Sequence, residues 1–361
     1  MRWEITDEQR AFQDAYSSWL GHVAPPETAK AWFESGNGSS FDQKLYGEGW
    51  VEVGLGEDVG GQGGGLLELA LMAEEMGRAA VPSGSWLASV LSQPALVALG
   101  THPARTLGAD NRVVLVIPAD RLPDSSRREV RAEGGFVTGS SPLVLAAEGA
   151  RWLMVPAMGE AGLDLYMVDA TSEEVVIRSR MPLDRNRRVA DVSLDRAQGL
   201  KLGINAQQFL QDVALRAAVL VAADSLGASE RMLDMAVEYS KERHQFGVPI
   251  GSFQAMKHAA ATMLVEVESA RSIVYYAATS VEQRQDDAPL HAGVAKAQVT
   301  VGGILVADSS LTMHGAIGYT WEHDLHRYYK RSKFDGVLYG SSKLWNERIA
   351  AVLLDNIGLA N

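Results

Sequence analysis

Three side chains within twelve residues could hold a flat, doubly charged ligand. They lie in the stretch Y-S-K-E-R-H-Q-F-G-V-P-I-G-S-F-Q, from Tyr239 to Gln254. Arg243 can grip a diphosphate through two parallel N–H donors. Phe246 offers an apolar face for a ring. Gln254 falls in the first turn of a following helix, where unpaired N–H groups and the helix dipole favour an anion. The elements that must position them are also legible. Residues 206–243 are rich in Ala and Leu and free of Pro, which predicts one long helix. Gly247, Pro249 and Gly251 interrupt it. Ser252 is expected to cap the next helix, whose apolar stripe would be Phe253, Met256, Ala260, Met263, Leu264 and Val267. The plainer reading is a helical hairpin with a surface Arg ion-paired to a carboxylate.

Composition narrows the classes. A chain of 361 residues with 47% hydrophobic content has room for two or three domains. It holds no cysteine, so disulfides, thiolate metal sites and a Cys nucleophile are excluded. A net charge of −12 argues against nucleic acid as a partner. The start M-R-W-E-I-T-D-E-Q-R has no apolar leader, no stretch approaches a membrane span, and a cytoplasmic location is expected. His314, His323 and His326 cluster without a carboxylate set and are weak metal candidates. Ser341-Ser342 has no visible His/Asp arrangement around it.

Three regions differ in texture. Thr6 and Gln9 read as a capping box for a helix carrying Phe12, Tyr16, Trp19 and Leu20, ended by Pro25-Pro26. A short helix over residues 41–50 and another over 66–78 follow, separated by the glycines of residues 54–65. From about Arg112 the chain breaks into β-prone runs at residues 113–117, 136–138, 152–155, 163–168, 175–177 and 189–194, which predicts a small barrel or sandwich. Leu163, Leu165 and Met167 alternate with Asp164, Tyr166 and Val168 as a half-buried strand would. Residues 199–205 read as a linker. Helices then run to the end, at residues 206–243, 253–283, 290–313, 321–331 and 342–357, long enough for an antiparallel bundle. The expected division is a helical domain over 1–108, a β domain over 109–200 and a helical bundle domain over 201–361.

The string R-x-Q-F-G-x-P-I-x-x-F-Q, carried here by Arg243, Gln245, Phe246, Gly247, Pro249, Ile250, Phe253 and Gln254, resembles the signature of the acyl-CoA dehydrogenase family. The resemblance implies an α+β fold: a helical N-terminal domain, a middle β-barrel and a C-terminal four-helix bundle. It also implies that Arg243, Phe246 and Gln254 contact the ADP part of the FAD of a neighbouring subunit. A second segment, Met313 to Glu322 (M-H-G-A-I-G-Y-T-W-E), resembles the family's Q-x-x-G-G-x-G-Y turn, which cradles the same FAD. Thr312 stands where that family has Gln and Ala316 where it has the second Gly, while Gly315 and Gly318 are retained.

In that family a Glu removes the substrate's α-proton while a hydride passes to the flavin. The two alternative Glu positions fall here on Gly340, in Y-G-S-S, and on Ala217, and neither residue can accept a proton. Asp224 and Asp335 are the nearest acidic substitutes. The middle domain lacks the family's T-E-P-x-x-G-S-D string, and Leu143-Val144-Leu145 stands where Trp-Ile-Thr/Ser would hold the flavin. The chain therefore resembles a degenerate subunit. It keeps what one subunit gives to its neighbour's FAD and lacks what it needs for its own. The partner implied is a catalytic acyl-CoA dehydrogenase subunit in a two-plus-two heterotetramer acting on an acyl-CoA, with a bulky steroid-derived acyl group as the substrate class the resemblance suggests. The alternatives are a homotetrameric flavoenzyme with a displaced base, and a flavin-free scaffold or acyl-CoA-binding protein.

Overall fold

Thr6 opens the first helix, α1 (Asp7–Val23), with the expected reciprocal cap: its hydroxyl accepts from the Gln9 N–H at 3.2 Å, and the Gln9 side chain accepts from the Thr6 N–H at 3.0 Å. The computed structural model describes residues 4–100, 110–124 and 129–356. The expected boundary at 108/109, the first three residues and the end of the last helix at Ile357 lie outside that description. Pro26 does not simply end α1; it starts α2 (Pro26–Ser35), where a fixed φ and a missing N–H cost nothing. α3 (Ser39–Gly47) is shorter than expected, and Trp50 sits in a separate 3-10 turn.

α4 (Leu66–Ala79) follows the glycine loop. α5 (Gly84–Ala98), not predicted from the sequence, runs through Pro94 and is buried on nearly every side. A helix with no polar face carries no amphipathic period to read.

Strands β1 (Val113–Leu115), β2 (Arg131–Glu133), β3 (Phe136–Leu145), β4 (Trp152–Gly159), β5 (Gly162–Asp169), β6 (Val175–Arg180) and β7 (Val189–Asn205) form the middle layer. The pairings β4–β2, β2–β3, β3–β7, β7–β5 and β5–β4 close on themselves, so the sheet is a barrel, with β1 added beside β4 and β6 beside β7. The stretch read as a linker is instead the second half of β7: Met167 pairs with Leu200 and Tyr166 with Lys201. Gly199 belongs there because a Cβ would lie 2.7 Å from the Val137 side chain. A glycine marking close approach inside a sheet was mistaken for a flexible joint. The alternation in β5 is also less clean than expected, because Tyr166 and Val168 are buried along with Leu165.

The remaining chain is helical: α6 (Ala206–Glu242), α7 (Gln254–Glu282), α8 (Ala288–Val294), a π turn over Ala295–Val299, α9 (Thr300–His314), α10 (Leu325–Asp335) and α11 (Ser342–Asn356). α4 crosses α6 at backbone contact. A Cβ on Gly77 would lie 2.0 Å from the Asp224 carbonyl oxygen, and one on Gly227 would lie 1.8 Å from that of Glu74. Against expectation, one stretch is long and apolar enough to span a membrane by length and composition, Ala288–Tyr319, with mean hydropathy 1.3 over its most apolar window. That window is 61% buried within the fold, as befits a core helix of the bundle.

Candidate functional site

α6 ends at Glu242, and Arg243 leaves it in extended conformation, with its carbonyl accepting from the Ile250 N–H at 2.8 Å. A two-residue hairpin intervenes, pairing His244 with Pro249 and Gln245 with Val248. Its tip is Phe246-Gly247, at φ +54° and +81°. Two left-handed residues make the turn that suits tightly twisted strands, and glycine meets that need without strain. Phe246 does not: a side chain in this region costs about 1–2 kcal/mol. The ring is nevertheless 92% exposed, touching Phe253 edge-on at 6.1 Å. A strained backbone that holds a large apolar ring in solvent is explained by something that covers the ring.

The cap of α7 differs from expectation. Ser252 lies in a 3-10 turn, and its hydroxyl donates to the Pro249 carbonyl at 2.7 Å. Phe253 takes the N-cap position without a side-chain cap, so the N–H groups of Gln254 and Ala255 have no partner among the described residues. Met263 and Val267 are buried as the stripe requires, whereas Phe253 and Leu264 are 38% and 50% exposed. Arg243 and Gln254 are both exposed. Among the described residues no carboxylate pairs with Arg243, which removes the plainer reading of an ion-paired surface Arg.

The second segment lies at the same end of the bundle. His314, the last residue of α9, stacks on Tyr239 at 4.8 Å, one turn before Arg243. Thr312, Gly315 and Ala316 are exposed, and Gly315, at φ +64°, has nothing within 4 Å of where a Cβ would be. Open space over bare backbone suits close approach of a cofactor. Thr312 and Gly318 differ. The Thr312 hydroxyl donates to the Asp308 carbonyl of its own helix at 2.8 Å. Gly318 is buried, with a Cβ position 3.0 Å from the Leu311 side chain, so it serves packing rather than a surface cradle. Arg243, Phe246, the free N–H groups at Gln254 and the bare Gly315–Ala316 turn fit the diphosphate and a ring of FAD as a surface donor set.

The two positions where the resemblance places a Glu are closed. Gly340 sits at φ +106°, and a Cβ there would lie 2.8 Å from Leu122 and 3.0 Å from the Trp345 indole nitrogen. Its carbonyl accepts from Lys296 at 2.9 Å, and the Tyr339 N–H donates to the Ala119 carbonyl at 2.6 Å, which fixes the loop from both sides. Ala217 is fully buried. Leu145, in the position expected to face a flavin, is 1% exposed in the barrel core.

Asp224 and Asp335, the nearest acidic substitutes, are enclosed and ion-paired. They are 2% and 0% exposed and belong to a buried ionic cluster that sequence reading did not find. Arg187, from the β6–β7 connection, pairs with Asp335 and, at 2.5 Å, with Asp224. Arg331 reaches Asp224 at 2.9 Å and donates to the Ser83 hydroxyl at 2.7 Å and the Val81 carbonyl at 2.9 Å. Lys296, on the π turn, donates to the Asp335 and Gly340 carbonyls, both at 2.9 Å. Burial pulls the Lys296 ammonium down to about 7 and pushes the Asp335 carboxyl up against the pull of Arg187. The cluster joins the N-terminal helices, the barrel and the bundle. Its members lie up to 252 residues apart, from Ser83 to Asp335, so no local pattern could have exposed it.

The family model described as acyl-CoA dehydrogenase, C-terminal domain, matches residues 211–354, and that described as acyl-CoA dehydrogenase, N-terminal domain, matches residues 6–106. Acyl-CoA dehydrogenase IpdE2 of Mycolicibacterium smegmatis is 30% identical over 353 residues, covering 96% of this chain and 99% of that one. Acyl-CoA dehydrogenase FadE34 of Mycobacterium tuberculosis is 30% identical over 369 residues, covering 96% of this chain but 48% of that one. Among solved structures, a Tcur3481-Tcur3483 steroid acyl-CoA dehydrogenase variant superposes with TM-score 0.85 at 26% identity, over 97% of this chain and 99% of that one. A glutaryl-coenzyme A dehydrogenase complex superposes with TM-score 0.88 at 21% identity, over 98% and 97%, which is a likeness of fold. This chain belongs to the acyl-CoA dehydrogenase family, flavoprotein oxidoreductases whose members bind FAD.

Proposed function

We propose that this chain is the non-catalytic subunit of a heteromeric acyl-CoA dehydrogenase. It completes the FAD site of a catalytic sister subunit in a two-plus-two assembly. The observation that carries this reading is the closed Gly340 position. The residue cannot take a proton, its φ of +106° disfavours any side chain, and Leu122 and Trp345 fill the space a Glu would need. The other base position, Ala217, is sealed in the core. Against that loss, Arg243, Phe246 and Gln254 stay exposed, and Phe246 does so at a conformational cost. When bound, FAD supplies the hydride acceptor; this chain's part is to hold its ADP portion with Arg243 and the N-terminus of α7.

Exposed apolar side chains on the bundle, Leu264, Val265, Val301 and Leu305, support an assembly that covers α7 and α9. Two relatives lend weight to a paired partner. One solved relative carries the two-part name Tcur3481-Tcur3483 and is called a steroid acyl-CoA dehydrogenase. FadE34 is about twice the length of the part that this chain matches, room for a second unit of the same size. A bulky acyl-CoA, steroid-derived, is the substrate class this supports, because one working site per pair leaves space for a large acyl group.

The test is flavin content. The chain should purify colourless alone and give about one FAD per pair when co-expressed with its dehydrogenase partner. A yellow, active homo-oligomer of this chain would overturn the proposal. A colourless complex would instead favour a flavin-free scaffold, the reading that the self-bonded Thr312 and buried Gly318 support.

A further inference from the structure

Away from the Arg243 turn, the N-terminal helices meet the bundle. A cavity of about 290 Å3 opens there between the α1–α2 junction, the end of α4, the middle of α6 and the start of α10. Three guanidinium groups line it, from Arg78, Arg231 and Arg327, against two carboxylates, Glu75 and Asp324. Glu230 and Asp234 pair with Arg78 and Glu238 with Arg231 from outside the lining, so the region carries no positive surplus.

The three arginines are not equally engaged. Arg78 is held by Glu230 at 2.9 Å and Asp234 at 2.7 Å. Arg231 has one loose contact, to Glu238 at 3.9 Å. Arg327 is the unusual one. It is 2% exposed, and among the described residues its single ion pair, to Asp324, is 3.4 Å long and its Nε and Nη1 have no hydrogen-bond partner. A buried guanidinium with two free donors is costly, and in a native protein it calls for a partner.

The surroundings also favour an anion. Arg327 lies in the first turn of α10, an eleven-residue helix with no side-chain cap, so the positive end of its dipole faces the same space. Glu75 does not compete for Arg327: its oxygens already accept from Gln13 at 2.9 Å and Ser17 at 2.8 Å.

We propose that this cavity binds a phosphate-bearing small molecule, with Arg327 and Arg231 gripping the phosphate. A tetrahedral dianion matches the paired donors of two guanidiniums better than a monovalent ion would. The site is separate from the FAD turn. Arg231 lies on α6 twelve residues before Arg243, which directly follows the helix, about 18 Å by helix rise. The proposal does not rest on the heteromeric reading above.

Equilibrium dialysis of the purified full chain with radiolabelled inorganic phosphate, at fixed ionic strength, tests it. The expected result is one site per chain with a dissociation constant below about 1 mM, weakened at least tenfold in both Arg327→Gln and Arg231→Gln and unchanged in Arg243→Gln. Arg231 is partly exposed, so its variant remains informative if Arg327→Gln does not fold. No binding by the wild type, binding that survives in Arg231→Gln, or binding lost in Arg243→Gln overturns the proposal. Displacement of the label by 3′-phosphoadenosine assigns the site to a nucleotide phosphate; displacement by free phosphate alone assigns it to phosphate itself. Either result supports the site.

Discussion

Removing Arg187 should loosen the joint between all three parts of the molecule. Its guanidinium pairs with Asp335 and Asp224, and its Nε donates to the Ser83 hydroxyl at 3.2 Å. Arg187→Met keeps most of the volume and leaves two buried carboxylates with only Arg331 and the backbone-bonded Lys296 nearby. Breaking a buried pair from one side costs about 3–5 kcal/mol, because the abandoned charge stays desolvated. At roughly 0.75 kcal/mol per degree for a chain this long, Tm should fall by about 4–7 °C. The same reasoning predicts recovery. In the double variant Arg187→Met, Asp335→Leu, the orphaned charge is gone, and at least half of the loss should return. Thermal melts followed by far-UV circular dichroism at neutral pH read both effects. The exposed Arg180–Asp191 pair serves as a control, and its removal should move Tm by no more than about 1 °C. An Arg187→Met protein melting within 1 °C of wild type, or a double variant no better than the single, would refute the argument.

Four further outcomes follow from the same geometry. Phe246→Gly should stabilise the isolated chain by about 1 kcal/mol by relieving the left-handed φ, yet lower FAD per pair in the co-expressed complex; unchanged flavin content would remove Phe246 from the site. Gly340→Glu should lower Tm without restoring acyl-CoA dehydrogenation in the chain alone, and measurable turnover would show that the base position is open after all. His326, packed between Trp321 at 4.6 Å and Phe33 at 5.5 Å, has its pKa pulled down to about 4 by burial and by Lys330 and Arg327. Its folded pKa lies below the ordinary value, so the stability it contributes is present above about pH 6.5 and lost as pH falls towards 4. His326→Phe should flatten the urea-midpoint profile across that window, and parallel profiles would count against it. Lys296 follows the same sign at higher pH: its contribution is present above about pH 10.5 and lost as pH falls towards 7. The stability gap between wild type and Lys296→Met should therefore widen from pH 7.5 to 10, as read by urea denaturation.

Much of the candidate site was legible because it is local. The long helix, the glycine–proline break and the side chains around Arg243 all lie within a span where residue type and spacing dictate conformation. The details that failed were those in which a neighbour overrides the local preference. Ser252 was read as a cap, but the Pro249 carbonyl takes its hydroxyl and Phe253 takes the position. Leu264 is expected on the packed stripe, yet half of it faces solvent. Gly318, read as cofactor backbone, is needed by Leu311 and His314 of its own chain.

By itself the sequence determined the family resemblance, the order of helical, β and helical regions, and the expectation that Gly340 and Ala217 stand where the family has Glu. These depend on residue identity along the chain. Tertiary structure alone decided the surroundings of the other acids. Asp224 and Asp335 are acids in plausible positions until the fold sets Arg187 and Arg331 against them and shuts out solvent. It alone turned the 199–205 stretch into a barrel strand, through pairing with β5. It also left Arg327 buried with two donors free beside a cavity. Pairing, desolvation and enclosure are relations between residues far apart in sequence, and only the folded chain brings them within reach of one another.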